Sequence, residues 1–292
     1  TAGVGRATVQ LTFNENMRTT ALVTVQAEPD AIGIIGAFKN MQVWTGSLWI
    51  ANGVNGAKSL AVSGAQDAAG NGMDATNGLA PFIADTMPSS APVPRMPADG
   101  SYHGTTAVPL EWENGTDAYG LARVQLNTNG GMVALSVTTQ YLCAAAPGTN
   151  TWRARLFDDA GNTSAWSTTW TFYVDTAVPR VTLLDPPSGL VTNQPPLLSW
   201  RVASLAPVSN TVVVLDGTAY AAGCSTDFTM AISEATHVWH VVSMNILGTA
   251  GISATNWFIH DATPPVVVGA GSIDGNGEGS CTVKFGRDIR GV

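Results

Sequence analysis

Hydrophobic and polar residues alternate along short stretches of this chain, not in the three-to-four-residue rhythm of a helix. In Thr151–Phe157 (TWRARLF) the alternation sends Trp152, Ala154 and Leu156 to one face and Arg153 and Arg155 to the other. That is the pattern of a half-buried strand in an antiparallel sheet. Ala107–Trp112, Leu121–Leu126 and Thr169–Val174 are rich in β-branched and aromatic residues and are predicted as strands too. Asp158-Asp-Ala-Gly-Asn162 supplies turn chemistry, an Asx side chain followed by a Gly-Asn pair able to take positive φ, and the strand ending at Val174 completes the hairpin. No helical period lasts ten residues, and Pro and Gly punctuate most of the chain. The prediction is an all-β protein.

The pattern recurs. An aromatic strand end runs into Asp and then Pro three times, at Phe82-Ile-Ala-Asp85-Thr-Met-Pro88, Phe172-Tyr-Val-Asp175-Thr-Ala-Val-Pro179 and Phe258-Ile-His-Asp261-Ala-Thr-Pro264. The aspartates stand 90 and 86 residues apart, the length of one β-sandwich. Expected domains are 1–87, 88–178 and 179–264, with 265–292 opening a further one. Trp112 and Trp200 match, as do Trp152 and Trp239, and such pairs on different strands read as facing anchors of a two-sheet core. The first repeat keeps its turn as Asp67-Ala-Ala-Gly-Asn71, after the strand Ser59–Gly64. The third has Asn245-Ile-Leu-Gly248, from which a longer hairpin is expected.

Residues 277–290 echo residues 3–18, with Thr282-Val283 opposite Thr8-Val9. The first repeat therefore reads as lacking the leading strand that Val266–Gly269 would supply. Either that strand lies in sequence upstream, or the strand of another copy fills the open edge and gives head-to-tail polymers. The chain opens at Thr1 without an initiator Met or signal peptide, which reads as a mature fragment or an excerpt of something longer.

Composition narrows the function classes. Charged residues are 12% of the 292, about half the usual share of roughly 25%, and Thr, Ser, Gly, Ala and Val fill the gap as in extracellular β-rich repeats. The formal net charge is −8, and only Lys39, Lys58 and Lys284 are lysines, so no basic cluster exists to meet phosphates and nucleic acid is excluded as a partner. No apolar run reaches the roughly 18–20 residues of a membrane span. Cys143, Cys224 and Cys281 cannot pair within a repeat; isolated thiols and an intermolecular disulfide both remain open.

The block Trp152–Trp166 followed by Phe172-Tyr-Val-Asp-Thr resembles bacterial-type immunoglobulin-like and fibronectin-III-like repeats, in which a DxAGN hairpin and a VDTxxP linker recur. The first repeat, with Val9-Gln-Leu-Thr-Phe13-Asn-Glu-Asn-Met17, is similar to the variant found in surface-layer proteins. The resemblance implies tandem immunoglobulin-like β-sandwich domains arranged as an extended rod. It also implies an extracellular or cell-surface setting such as adhesin stalks, surface layers, cell-surface filaments or algal flagellar hairs.

Catalytic patterns fail one by one. Gly269-Ala-Gly271 starts like a dinucleotide fingerprint, but Asp274 stands at the third glycine and no helix is predicted to follow. Asp274-Gly-Asn276-Gly-Glu278-Gly279 starts like a calcium loop, yet its twelfth position is Phe285. His237 and His240 point to opposite faces of one strand, and neither a nucleophile elbow nor two carboxylates in one cleft is seen. The linker aspartates Asp85, Asp175 and Asp261 are the metal candidates: each sits where two repeats meet, and Asp67, Asp158 or Asp159 can add a carboxylate to hold interdomain calcium. The alternative is an Asx cap on the turn before the proline. Trp166 and Tyr173 can stack on sugars, and Asn114-Gly-Thr and Asn162-Thr-Ser are glycosylation acceptors in a secreted chain.

The sequence thus predicts a non-catalytic structural spacer of a long surface or filament protein, needing no cofactor unless calcium. Its partners would be neighbouring copies or further domains of the same chain. An adhesin or carbohydrate-binding module, with glycans as partners, is the alternative. Proline at each seam restricts the linkers, and three repeats would span roughly 100 Å or more.

Overall fold

The computed structural model describes residues 1–270 and 283–285, and every regular element among them is a β-strand. Two compact units form. Residues 1–101, 107–145 and 149–172 make the first, and residues 102–106, 146–148 and Tyr173 onward the second.

The first unit opens with a seven-stranded sandwich: β1 (Gly5–Thr12), β2 (Thr24–Glu28), β3 (Ile32–Gly33), β4 (Ile35–Phe38), β5 (Val43–Ile50), β6 (Gly56–Ser63) and β7 (Thr76–Ala84). One sheet runs β1-β5-β4 and the other β3-β2-β6-β7. In β5 every second residue is buried, so Trp44, Leu48 and Ile50 enter the core beside Val9, Val25, Leu60 and Val62.

The second sandwich uses β8 (Val93–Met96), β9 (Ser101–His103), β10 (Ala107–Glu113), β11 (Leu121–Thr128), β12 (Gly131–Ser136), β13 (Gln140–Ala144), β14 (Gly148–Asp158) and β15 (Trp170–Val174). Its sheets run β13-β10-β8 and β12-β11-β14-β15-β9. The predicted alternation of Thr151–Phe157 is observed: Trp152, Ala154 and Leu156 are buried. On the opposite face Arg153 and Arg155 each lie 4.6 Å from the Trp166 ring.

The second unit holds the third sandwich: β16 (Arg180–Asp185), β17 (Leu190–Thr192), β18 (Leu198–Ala203), β19 (Val208–Leu215), β20 (Thr218–Gly223), β21 (Asp227–Phe228), β22 (Ala235–Asn245), β23 (Ala250–Ile252) and β24 (Asn256–His260). One sheet runs β16-β18-β21; the other runs β17-β24-β22-β19-β20, with β23 on β22. Trp200 and Trp239 come from opposite sheets into one core with Val213, Val241 and Phe258. Beyond it β25 (Val267–Ala270) pairs antiparallel with β26 (Val283–Phe285). Most of 265–292, including Cys281 and the Asp274–Gly279 stretch, lies outside the described residues.

The hairpin turn is the same device three times. Asp67 and Asp158 each accept from the amide and side chain of an Asn four residues on, at 2.7–2.9 Å. Asn245 accepts from the Thr249 amide at 3.1 Å, with Gly248 at φ +77° where Gly70 and Gly161 are also positive. The third hairpin is therefore no longer than the others, against expectation. An Asn carboxamide oxygen closes the same five-residue ring as a carboxylate, so the motif survives loss of its charge. Cys143 is buried and Cys224 exposed, and both are free.

Candidate interdomain carboxylate site

Each linker aspartate makes the same two local bonds. Its amide donates to a carbonyl of the leading segment (Asp85 to Ala2, Asp175 to His103, Asp261 to Thr192), each at 2.9 Å. Its Oδ1 accepts from the amide two residues on (Met87, Ala177, Thr263) at 3.1–3.2 Å. The Asx cap is present at all three positions, and it uses only one carboxylate oxygen. What the second oxygen meets separates the sites.

At Asp175, Oδ2 accepts from the Ala206 amide at 2.8 Å and from Ser204 Oγ at 3.4 Å, so this carboxylate is satisfied by neutral donors within the second unit. At Asp85, within the first unit, the partners are acidic. Oxygens of Asp85, Asp117 and Asp158 lie within 4.8 Å of one another, the one such cluster among the described residues. Asp85 is 1% exposed, and its Oδ2 is buried without a hydrogen bond. Burial pushes its carboxyl above the ordinary carboxylate range, and the charges of Asp117 and Asp158 push the same way against the Met87 amide.

Repeat spacing accounts for the difference. Asp117 stands in the loop that in the third sandwich carries Ala206, and Asp158 in the turn that there carries Asn245. One seam thus receives two extra carboxylates where Asp175 has the Ala206 amide N–H and the Ser204 hydroxyl. Asp117 is aimed by its own turn, its Oδ1 accepting from the amides of Tyr119 at 2.8 Å and Gly120 at 3.1 Å. Asp158 is fixed by the hairpin ring and is 2% exposed. Asn162 bridges the sandwiches, donating from Nδ2 to Asp158 Oδ2 at 2.9 Å and to the Asp85 carbonyl at 3.0 Å. Gly3 abuts the same turn; a β-carbon there would sit 2.6 Å from the Ala160 oxygen.

A buried, unpartnered carboxylate oxygen facing two more carboxylates is a costly arrangement by itself. Its donor set is that of a hard divalent cation, which takes oxygens from carboxylates, carbonyls and water. Among the described residues, Asp85 is the one predicted linker aspartate in such a cluster, and its expected turn partner is Asp158, not Asp67 or Asp159. Asp117 was not anticipated; the only sequence signal is an Asx residue in a short loop after the Trp112 strand.

The other candidate residues have structural employment. Asn114 Oδ1 accepts from Trp112 Nε1 at 3.0 Å, and a glycan on Asn162 would leave Nδ2 a single N–H, so one of its two seam bonds would have to be given up. Tyr173 stacks on Tyr102 with ring centroids 4.8 Å apart, and Trp166 is covered by two arginines. His237 is buried between Asp216 and the Ser233 carbonyl, while His240 lies half-buried on the other face of β22.

No protein-family model matches the chain, and no curated protein matches it. Among solved structures it is similar to the fibronectin(III)-like modules of Clostridium thermocellum CbhA, at 14% identity and a TM-score of 0.31, over 59% of this chain and 95% of that one. The FN1–FN3 domains of chicken CNTN1 align at 12% identity and a TM-score of 0.27, over 88% and 98%. A tetra-tandem repeat from the extending region of a large adhesion protein aligns at 17% identity and a TM-score of 0.34, over 90% and 72%. By its own strand order the chain is a tandem of immunoglobulin-like, fibronectin-III-like β-sandwiches.

Proposed function

We propose that the chain is a non-catalytic structural segment of an extracellular surface or filament protein, with domains 1–87, 88–178, 179–264 and the start of a further one at 265–292. The observation that supports this most is the reuse of conserved-geometry bonds at every seam and hairpin, while side chains suited to ligand chemistry elsewhere are engaged in structure. A spacer of this kind is silent in a glycan array. A specific glycan retained there at micromolar strength would favour the adhesin reading instead.

A second reading concerns the seam of the first unit: Asp85, Asp117 and Asp158 hold a divalent cation, with calcium the best match to an all-oxygen set. The orphaned Asp85 Oδ2 favours it, because a bound cation relieves at once the desolvation and the mutual repulsion of three carboxylates. For Asp175 and Asp261 the same role has less support, since Asp175 already spends its second oxygen on Ala206. Isothermal titration of the whole chain with calcium, beside Asp117→Asn, tests it. One site lost in the variant is expected, and equal heats from both proteins would overturn it.

A further inference from the structure

Three of the chain's ten arginines share one face of the second sandwich. In the β11–β14 ladder Arg123 stands opposite Phe157, Gln125 opposite Arg155 and Asn127 opposite Arg153. All six project away from the core that takes Trp152, Ala154 and Leu156. The arginines and Phe157 form one continuous stack with Trp166. The Arg123 guanidinium carbon lies 3.9 Å from the Phe157 ring centroid, and that of Arg155 lies 5.2 Å from Phe157 and 4.6 Å from Trp166. Arg153 closes the series at 4.6 Å from Trp166. No run of basic residues announces this cluster, because Arg123 comes from a different strand than Arg153 and Arg155.

The stack leaves the charges uncompensated. Among the described residues none of the three arginines makes an ion pair. The one side-chain hydrogen bond they donate there runs from Arg155 Nε to Gln125 Oε1, at 2.8 Å. Ring quadrupoles ease three neighbouring like charges but do not neutralise them. The rings also hold the guanidinium groups in place, so little ordering entropy is lost when a partner binds.

The face thus presents a preset row of planar donors matched to carboxylate and sulfate oxygens. Arg153 and Arg155 are two residues apart, about 7 Å along the strand. Beside the cations stand neutral groups that suit sugar hydroxyls: Gln125, Asn127 and, opposite Arg123 on β12, Ser136. We propose that this face of the second sandwich binds an acidic polysaccharide, its carboxylates or sulfates on Arg123, Arg153 and Arg155 and its hydroxyls on the flanking carboxamides. Because Trp166 is enclosed by arginines, charge holds the sugar, not ring stacking. Each contact is an exposed charge pair worth little alone, so a long polymer that engages several at once is held where a short oligosaccharide is not. The contact is independent of the spacer role: a chain silent toward neutral glycans still holds an acidic one.

Retention of the full chain on immobilised heparin, with neutral dextran as the blank, tests this. In about 50 mM salt, where exposed charges are weakly screened, heparin should hold the chain and dextran should not, and rising salt should elute it. Arg123→Gln and Arg153→Gln should each weaken binding roughly two- to fivefold, with unchanged circular dichroism. Arg123 is exposed, so its variant alone carries the test if the Arg153 variant loses its fold. Arg201→Gln, in the third sandwich, is the control and should change nothing. Absence of retention at low salt overturns the proposal, as does full retention of a folded Arg123 variant or an equal loss in the Arg201 variant. Duplex DNA or polyglutamate held as firmly as heparin would make any polyanion a partner and overturns it too.

Discussion

Trp112 and Trp152 meet across the second sandwich, their ring centroids 6.2 Å apart and their planes tilted by 54°. One comes from each sheet, and both are at most 2% exposed. Replacing Trp152 with Ala leaves a cavity the neighbouring strands cannot close, and should cost about 3–5 kcal/mol. Urea unfolding followed by fluorescence checks this. Trp166→Ala, on the outer face, is the control and should cost far less.

The seam of the first unit couples pH to cation binding. Asp85 has its folded pKa raised above the ordinary 3.8, so the native state holds its proton more tightly than the unfolded chain. In cation-free buffer this group's contribution to stability therefore falls as pH rises from about 3.8 through the raised value. Calcium should reverse the loss at neutral pH and do little near pH 4. At 100 times its Kd a single bound ion stabilises by about 2.7 kcal/mol, which is about 5–10 °C in the melting temperature of a unit this size. Asp117→Asn should raise the calcium-free melting temperature at pH 7 and shrink the calcium response. Calorimetry with and without chelator reads both.

Gly161 sits at φ +88° in the hairpin turn, with open space where a β-carbon would go. Gly161→Ala should therefore cost only the backbone strain, about 1–2 kcal/mol. Asn162→Ala should cost a similar or larger amount through loss of its bonds to Asp158 and the Asp85 carbonyl, about 1–3 kcal/mol. Only the Asn162 variant should also weaken calcium binding, which separates a local turn effect from one on the seam.

His237 and Asp216 give the third sandwich its own pH dependence. Burial works against the imidazolium, but hydrogen bonds to Asp216 and to the Ser233 carbonyl, with the Asp216 charge, win and raise its pKa above 6.5. The stability this pair adds is fully present below pH 6.5 and is lost as pH rises through the folded value. Asp216 is exposed, and although desolvation works against its charge, bonds from the Val238 amide and His237 hold it below 3.8, so its share is lost only on strong acidification. Asp216→Asn should flatten the pH–stability curve above 6.5, and the imidazole shifts in NMR should show the His237 pKa falling.

Much of this fold was legible in the residues. The alternation in Thr151–Phe157 and the matched tryptophans identify strands and core because side-chain period and bulk are local properties. The recurring Asp-then-Pro ends likewise mark positions that share a local structure, each aspartate making the same two bonds. What the sequence concealed is non-local. Asp117 joins Asp85 only because the loop after β10 folds back against a linker more than 30 positions earlier. Nothing in the spacing of Asp85, Asp175 and Asp261 foretells that one seam gathers three carboxylates while another receives an amide. The longer third hairpin expected from Asn245-Ile-Leu-Gly248 does not form because the Asn245 carboxamide oxygen accepts from the amides of Leu247 and Thr249 and closes the turn on backbone bonds alone.

Pulling a single chain from its two ends tests the spacer account most directly. Self-contained sandwiches should give way one at a time, each event releasing a contour length set by 86–90 residues, about 300 Å per event. The first of the events assigned to the two sandwiches of the first unit should need more force in calcium than in chelator. One concerted rupture of the whole chain, or releases unrelated to that repeat length, would contradict it.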